Sequence, residues 1–371
     1  RQMCIRDRPC PEAVAAMVEA LETGWGNPSS LYRFGMDAAH RLKAARDQVA
    51  KALGAEPDRV FFTSGGTEAD NWAIFSAMSR MGKRGRHVIT TAVEHHAVLN
   101  PMRRLEEQGF EVTYLKPDAL GRVCLDALRE AIRPDTVLVS VMMVNNESGA
   151  VMPIGAMAKL THRLAPNAIF HTDAVQGFLK LPFQAKTLGA DLISISSHKV
   201  HGPKGAGALY IRRGLPLPPY LLGGGQEGGY RSGTEATPAV VGFGAACAAA
   251  LPTLREDLAR EAALRDRSAA LLAEIPGVEL LGAREAPHIL LASIPGVPTQ
   301  NTINILQDHG VCVSAGSACA RGHRSHVLEA MGLPPETVDG AFRISLSRFT
   351  SPEELEQLAV GLTAVVQRMR R

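Results

Sequence analysis

Short apolar runs rich in β-branched residues alternate with helically spaced stretches through most of this chain, and that alternation restricts its possible folds most. The apolar runs cover residues 87–92, 111–115, 136–144, 168–172, 191–196 and 208–211. Residues 97–108, 125–132 and 154–164 fall between them, 68–80 precedes the first, and all four place Ala, Val, Leu and Ile with the period of one helix face. Two further helical stretches, 11–22 and 35–53, come first. Strands that are apolar on both faces and separated by helices predict an α/β fold. Its sheet is mainly parallel and covered by helices on both sides.

At roughly 150 residues per domain, 371 residues make two domains. The punctuation changes near residue 214, with a Pro-rich turn at 214–219 and a Gly-rich loop at 222–229. A long Ala/Leu-rich helical stretch follows over 238–275, in which Pro252 marks a kink or a restart. Strand-like pieces at 278–281, 286–293, 311–314 and 342–347 surround an amphipathic stretch at 301–309, and a helix at 352–370 closes the chain. These patterns predict a large domain over 9–245 and a smaller α+β domain over 246–371, with the extreme N-terminal segment packing against the smaller one. Residues 1–8 fit no element and resemble translated sequencing-adapter sequence. The genuine chain is expected to re-enter near Pro9, and Cys4 carries no functional weight.

Composition excludes several classes. The chain is 46% hydrophobic and 21% charged, which is globular and not disordered. Lys plus Arg number 40 and Asp plus Glu 37, a net charge of +3 with no basic block, so nucleic acid is not an expected partner. No apolar run has membrane-spanning length. Six unevenly spaced cysteines do not make a disulfide scaffold and suggest a reducing cytoplasm.

Four segments carry possible chemistry. In Phe62-Thr63-Ser64-Gly65-Gly66-Thr67-Glu68 a strand enters a Gly-rich turn and then a helix, so free N–H groups could hold a phosphate. It is neither a Walker A loop nor a dinucleotide fingerprint, and an ordinary capped turn is the plain alternative. Asp173 lies at the end of a buried strand, where a carboxylate can hold a protonated pyridine nitrogen or simply cap the next helix. Lys199, in Ser196-Ser197-His198-Lys199-Val200-His201-Gly202, follows another buried strand, where a desolvated lysine forms Schiff bases; a solvated loop lysine is the alternative. Phosphate cup, Asp and Lys in that order meet the needs of pyridoxal phosphate.

The fourth segment, Ala315-Gly316-Ser317-Ala318-Cys319-Ala320-Arg321-Gly322, presents a cysteine among basic residues, a setting that lowers a thiol pKa. His309, Cys312, Cys319, His323 and His326 also crowd together, but their spacing matches no standard zinc pattern, so no metal is expected. An inert structural Cys319 is the other alternative.

These residues resemble the cysteine desulfurases of the NifS/IscS group. The resemblance rests on Ser64-Gly65-Gly66-Thr67-Glu68-Ala69-Asp70-Asn71, Glu94-His95-His96-Ala97-Val98, Val144-Asn145-Asn146-Glu147 and Asp173-Ala174-Val175-Gln176. It continues through Ser197-His198-Lys199, Arg231-Ser232-Gly233-Thr234 and Ser314-Ala315-Gly316-Ser317-Ala318-Cys319, so it runs from about Asn27 to Phe349. It implies a fold-type I pyridoxal-phosphate enzyme with a mainly parallel seven-stranded sheet, a smaller α+β domain and a homodimeric assembly. By the same resemblance, Lys199 would anchor the cofactor covalently, Asp173 would pair with the pyridine nitrogen, and Gln176 with the ring hydroxyl. His95 would stack on the ring and shuttle protons, and Asn146 would contact cofactor and substrate. Gly66, Thr67, Ser196 and His198 would hold the phosphate, with Thr234 reaching in from the partner subunit. Arg343, or secondarily Arg348, would clamp the substrate carboxylate, and Cys319 would take the sulfur of L-cysteine as a persulfide. The sulfur would pass to an acceptor protein, such as a scaffold for iron–sulfur cluster assembly, or serve thiolation. A related lyase or aminotransferase, such as a selenocysteine lyase, and an inactive cofactor-binding scaffold are the alternatives.

Overall fold

The computed structural model describes residues 8–316 and 324–369. Seven strands form the main sheet: β1 (Val60–Thr63), β2 (His87–Thr91), β3 (Glu111–Leu115), β4 (Thr136–Ser140), β5 (Ile169–Asp173), β6 (Leu192–Ser196) and β7 (Gly207–Ile211). Their order is β1-β7-β6-β5-β4-β2-β3, and only β7 runs against its neighbours. The mainly parallel sheet read from the sequence is therefore present. A second, antiparallel sheet is ordered β10-β9-β8, from β8 (Glu279–Leu281), β9 (Ile289–Ser293) and β10 (Ala341–Ser345).

The helices before the second sheet are α1 (Pro11–Thr23), α2 (Arg33–Leu53), α3 (Gly66–Met81), α4 (His96–Glu107), α5 (Leu125–Ala131), α6 (Ile154–Leu164), α7 (Ala185–Leu188), α8 (Thr237–Ala250) and α9 (Leu254–Ala273). The remainder are α10 (Thr299–Asp308), α11 (His326–Ala330), α12 (Pro335–Asp339) and α13 (Pro352–Met369).

Successive strand residues explain why both faces of the main sheet are covered. Val88, Leu138, Ile169 and Leu192 join a core with Trp72 and Ile74 of α3 and Met102 of α4. Their chain neighbours Ile89, Val139, Phe170 and Ile193 join another core with Val49 of α2, Met157 of α6 and Phe243 of α8. This is the period-two geometry of a strand. Each of these buried aliphatic or aromatic side chains contributes about 1.5–3 kcal/mol. A separate core around Leu264, Leu290, Leu306, Phe342 and Leu358 holds the second sheet to α9, α10 and α13.

The long Ala/Leu-rich stretch is two helices, α8 and α9, bent by 80° at a break that contains Pro252. Proline removes a helical hydrogen bond and clashes with the preceding turn, so the break falls where its ring sits. The boundary expected after residue 245 falls inside α8, and we propose the two-domain division at this bend. A buried ion pair, Lys180 Nζ to Glu261 Oε1 at 2.9 Å, ties the large domain to α9. Helix α1 lies against α8, and Cys10 N donates to the His201 carbonyl at 2.8 Å.

Two strand expectations end early. The run 136–144 is strand only to Ser140, because the chain then enters a turn built around Asn145. Residues 311–314 form no strand, and Ser314 makes only an isolated bridge to Arg343. No single helix among the described residues is long and apolar enough to cross a membrane.

Candidate active site

Strands β1, β2, β4, β5 and β6 run in one direction and release their C-terminal ends on one edge of the sheet. Open α/β sheets bind ligands along that edge. Every described candidate except Thr234, Arg343 and Arg348 lies at or just after one of these strand ends.

The turn after β1 opens α3. Gly65 adopts φ +154° and ψ −176°, a region essentially restricted to glycine. A Cβ on Gly66 would lie 2.6 Å from Val175 Cγ2, so this wall has room for backbone alone. The first N–H groups of a sixteen-residue helix carry partial positive charge and suit a phosphate. Ser196 Oγ and His198 Nδ1 share a hydrogen bond of 2.9 Å beside it. The Glu68 carboxylate in the first turn is offset by Arg231, whose Nε donates at 2.7 Å, and it also accepts from Ser64 N at 2.6 Å.

Asp173 ends β5 and is buried, with its Oδ1 accepting from Val175 N at 2.9 Å. Burial pushes its carboxyl up to about 6. Behind it stand two residues of a buried network that sequence reading had not assigned. His171 pairs with Ser140 Oγ at 2.8 Å and Ser194 Oγ at 3.0 Å, and Asp70 Oδ1 lies 3.6 Å from its Nε2. Burial, then the charge of Asp173, holds the Asp70 carboxyl well above the usual range. Gln176 Oε1 lies 3.3 Å from His288 Nε2.

Lys199 sits in a 3-10 turn, Ser197–Val200, directly after β6. His201 closes that turn at φ +64°, and a Cβ at Gly202 would strike Ser197 Oγ, so the tight reversal requires glycine there. His95 caps α4, its Nδ1 accepting from Ala97 N at 3.1 Å. That contact puts the proton of the neutral ring on Nε2. Burial, then His96, Lys199 and His326, lowers the His95 pKa to about 4, so the ring is neutral at physiological pH.

Asn146 lies in the turn after β4. Arg343 on β10 is buried; its Nη1 donates to the Asn146 carbonyl at 2.8 Å and its Nε to Ser345 Oγ at 3.1 Å. A residue of the smaller sheet thus reaches the large domain's site.

Gly66, Thr67, His95, Asn146, Asp173, Gln176, Ser196, His198, Lys199 and Arg343 all line one cavity of about 510 Å³, together with Asp70, Met142 and Lys204. Thr234 is exposed and does not line it. Arg348 lines a different, smaller cavity beside Lys180 and Glu261. Cys319 and His323 lie outside the described residues. Among the described residues no group of His, Cys, Asp or Glu is arranged to hold a metal ion. Glu94 and Glu147, both buried beside the site, belong to motifs of the resemblance that carry no assigned role for them; their position after apolar strand ends is the available signal.

The cavity fits pyridoxal phosphate. It has a wall where glycines leave bare amides, a buried carboxylate at one strand end and a lysine at the next. Asp70 Oδ1 and Glu94 Oε2 are buried without a hydrogen-bond partner, and of the buried Asp70 and Asp173 carboxylates that line the cavity, Asp173 is the one held by a backbone donor, Val175 N.

The class-V aminotransferase family model matches residues 8–358. A cysteine desulfurase of Trichormus azollae is 42% identical over 365 residues, covering 97% of this chain and 90% of the relative. The cysteine desulfurase IscS of Methanosarcina thermophila is 41% identical over 364 residues, covering 97% and 89%. Among solved structures, a NifS-like protein superposes with a TM-score of 0.92 at 35% identity, covering 98% of both chains. DndA from Streptomyces lividans superposes with a TM-score of 0.78 at 35% identity, covering 92% of this chain and 97% of its own. With this cavity and these relatives, the chain belongs to the class-V aminotransferase family, in its pyridoxal-phosphate-dependent cysteine desulfurase branch.

Proposed function

We propose that the chain converts L-cysteine to L-alanine and keeps the sulfur as a persulfide on Cys319. One observation carries this reading. Ser314 is bridged to Arg343 at the cavity wall, and Cys319 follows five residues later, within about 17 Å of extended chain.

When bound, pyridoxal phosphate supplies a carbonyl for the substrate amine and an electron sink for the carbon that loses sulfur. The amides of Gly66 and Thr67, with Ser196 and His198, would hold its phosphate, and Lys199 Nζ would anchor it covalently. Asp173, mostly ionised at neutral pH, would pair with the pyridine nitrogen, and a positive charge there would hold it ionised. Gln176 would take the ring hydroxyl. His95, with its proton on Nε2, would contact the ring and pass protons. Arg343, fixed by Asn146 and Ser345, binds the substrate carboxylate through charge-assisted hydrogen bonds. The Cys319 thiolate attacks the substrate sulfur. A sulfur–sulfur bond forms as the carbon–sulfur bond breaks, and its electron pair stays with the carbon fragment, which takes up protons and leaves as alanine.

We place the enzyme in the cytoplasm as a homodimer that hands sulfur to an acceptor for iron–sulfur assembly or thiolation. The cysteines among the described residues are free thiols. Leu31 and Leu222 are 94% and 88% exposed, and Trp25 stacks on Phe34 at 4.9 Å in an exposed apolar face that suits a second copy. Thr234 lies in the same loop region as Leu222 and away from its own cavity, as expected of a residue that serves the partner's site.

The test is turnover. Holoenzyme with L-cysteine should release alanine and, with a thiol reductant, sulfide. Lys199→Ala should lose the absorbance of lysine-bound cofactor and all turnover. A variant that keeps both would move the anchor to another lysine, such as Lys204, which also lines the cavity.

A further inference from the structure

Glu147 has no part in the chemistry above, yet it is only 1% exposed and meets both ends of the segment that carries Cys319. Its backbone is fixed first. Asn145 Oδ1 accepts from Glu147 N at 2.9 Å, Ser148 N at 2.8 Å and Ser148 Oγ at 3.1 Å, while Asn145 Nδ2 donates to the Val93 carbonyl at 2.9 Å. A carboxylate on so rigid a turn is a fixed post.

Ser325, just after that segment, donates its Oγ proton to Glu147 Oε2 at 2.5 Å and accepts from Leu328 N at 3.3 Å as the cap of α11. Gly316, just before it, has φ +53°, and a Cβ there would lie 2.8 Å from the same Glu147 Oε2 and 3.6 Å from Ser325 Cβ. The two feet therefore meet at one carboxylate oxygen. The neighbouring residues are fastened as well: Ser314 to Arg343 through the backbone, Arg324 to Asp339 through a two-point ion pair at 2.7 and 2.6 Å, and His326 Nε2 to the Glu94 carbonyl at 3.0 Å.

We infer that Glu147 is a positioning residue that clasps both feet of the Cys319 segment and so sets where its thiol can meet the substrate sulfur. This deepens the desulfurase reading and rests on it. Cys319 is three residues from Gly316, so chain length alone limits it to about 10 Å from that foot, and the clasp fixes where the foot stands. Orientation, not chain entropy, is what the clasp supplies. Releasing both feet would move the fixed backbone points from Gly316 and Ser325, with eight residues between them, to Ser314 and His326, with eleven, which alters closure by less than about twofold. Loss of a fixed attack geometry costs about tenfold or more.

The test separates the cofactor step from sulfur transfer in holoenzyme given L-cysteine without an acceptor. In Glu147→Ala the cysteine-induced change in cofactor absorbance should appear at the wild-type cysteine concentration within about threefold. Persulfide formation in the first turnover should slow about tenfold or more. Glu147→Gln, whose amide oxygen still accepts from Ser325, should recover much of the loss. Ser325→Ala should slow persulfide formation in the same way without touching the Asn145 turn, and Ser325→Thr should restore it; this pair decides the matter if Glu147→Ala does not fold. Persulfide formation within about twofold of wild type in Ser325→Ala and in any folded Glu147→Ala overturns the inference. So does an equal loss of the absorbance change, which would make Glu147 a support of the cavity. A wild-type enzyme that forms no persulfide at all fails the desulfurase reading itself, before any Glu147 variant is compared.

Discussion

The Arg343 guanidinium on β10 donates to the main-chain oxygen of Asn146, 2.8 Å from Nη1 to oxygen. A strand of the smaller sheet thereby has its cation held at the turn that follows β4. Two of its donors are engaged by the protein, so the plane of the fork is set before substrate arrives.

Arg343→Lys should raise KM for L-cysteine more than it lowers kcat. Lysine keeps the charge but cannot span Asn146, Ser345 and a carboxylate with one planar group. A hydrogen bond to a charged group contributes about 1.5–3 kcal/mol, so KM should rise about 10- to 100-fold. Steady-state kinetics checks this, and an unchanged KM would remove Arg343 from the clamp.

Gly66→Ala tests the phosphate wall. The new methyl would sit 2.6 Å from Val175 Cγ2 in a packed site, and overpacking costs about 1–3 kcal/mol. Titrating apoenzyme with pyridoxal phosphate should show affinity weakened by about 5- to 150-fold, with the fold retained. Wild-type affinity would mean that the phosphate lies elsewhere.

Glu94 gives a pH signature. Burial raises its pKa from 4.5 to about 8, although Thr91 Oγ1 and Met142 N both donate to its Oε1. The folded protein therefore keeps a proton that the unfolded chain releases above 4.5. This contribution to stability is full below 4.5 and declines as pH rises towards 8. Glu94→Gln preserves both acceptor contacts and cannot ionise. Its stability relative to wild type should increase by about 3 kcal/mol between pH 6 and pH 9, read from denaturant midpoints. His95 acts at the other end of the range: its pKa falls to about 4, so the stability from its neutral ring is present above 6.5 and declines as pH falls towards 4. Parallel pH profiles for wild type and Glu94→Gln would refute the burial account.

The sheet, its flanking helices and the order of the site motifs were legible because each rests on local chemistry. Short apolar, β-branched runs, Gly65-Gly66 before α3, and Asp173 and Lys199 at strand ends all show in the residues themselves. What was illegible depends on contacts between distant segments. Asp70 reads as one polar position on a helix until His171 and Ser194 bury it. Glu147 reads as a turn residue until Gly316 and Ser325 meet it. Residues 311–314 have strand composition, but only Ser314 finds a partner, Arg343, so composition alone overcalled the element.

The most direct test is to locate the sulfur. Mass spectrometry after incubating holoenzyme with L-cysteine should find one added sulfur on the peptide that carries Cys319. Cys319→Ser should still bind pyridoxal phosphate and still change its absorbance with cysteine, but it should carry no added sulfur and release almost no sulfide, because a hydroxyl is a far weaker nucleophile than a thiolate. Cys312→Ala should leave the chemistry intact. Added sulfur on Cys312 or Cys124, or undiminished sulfide from Cys319→Ser, would contradict the account and point to a lyase that needs no enzyme thiol.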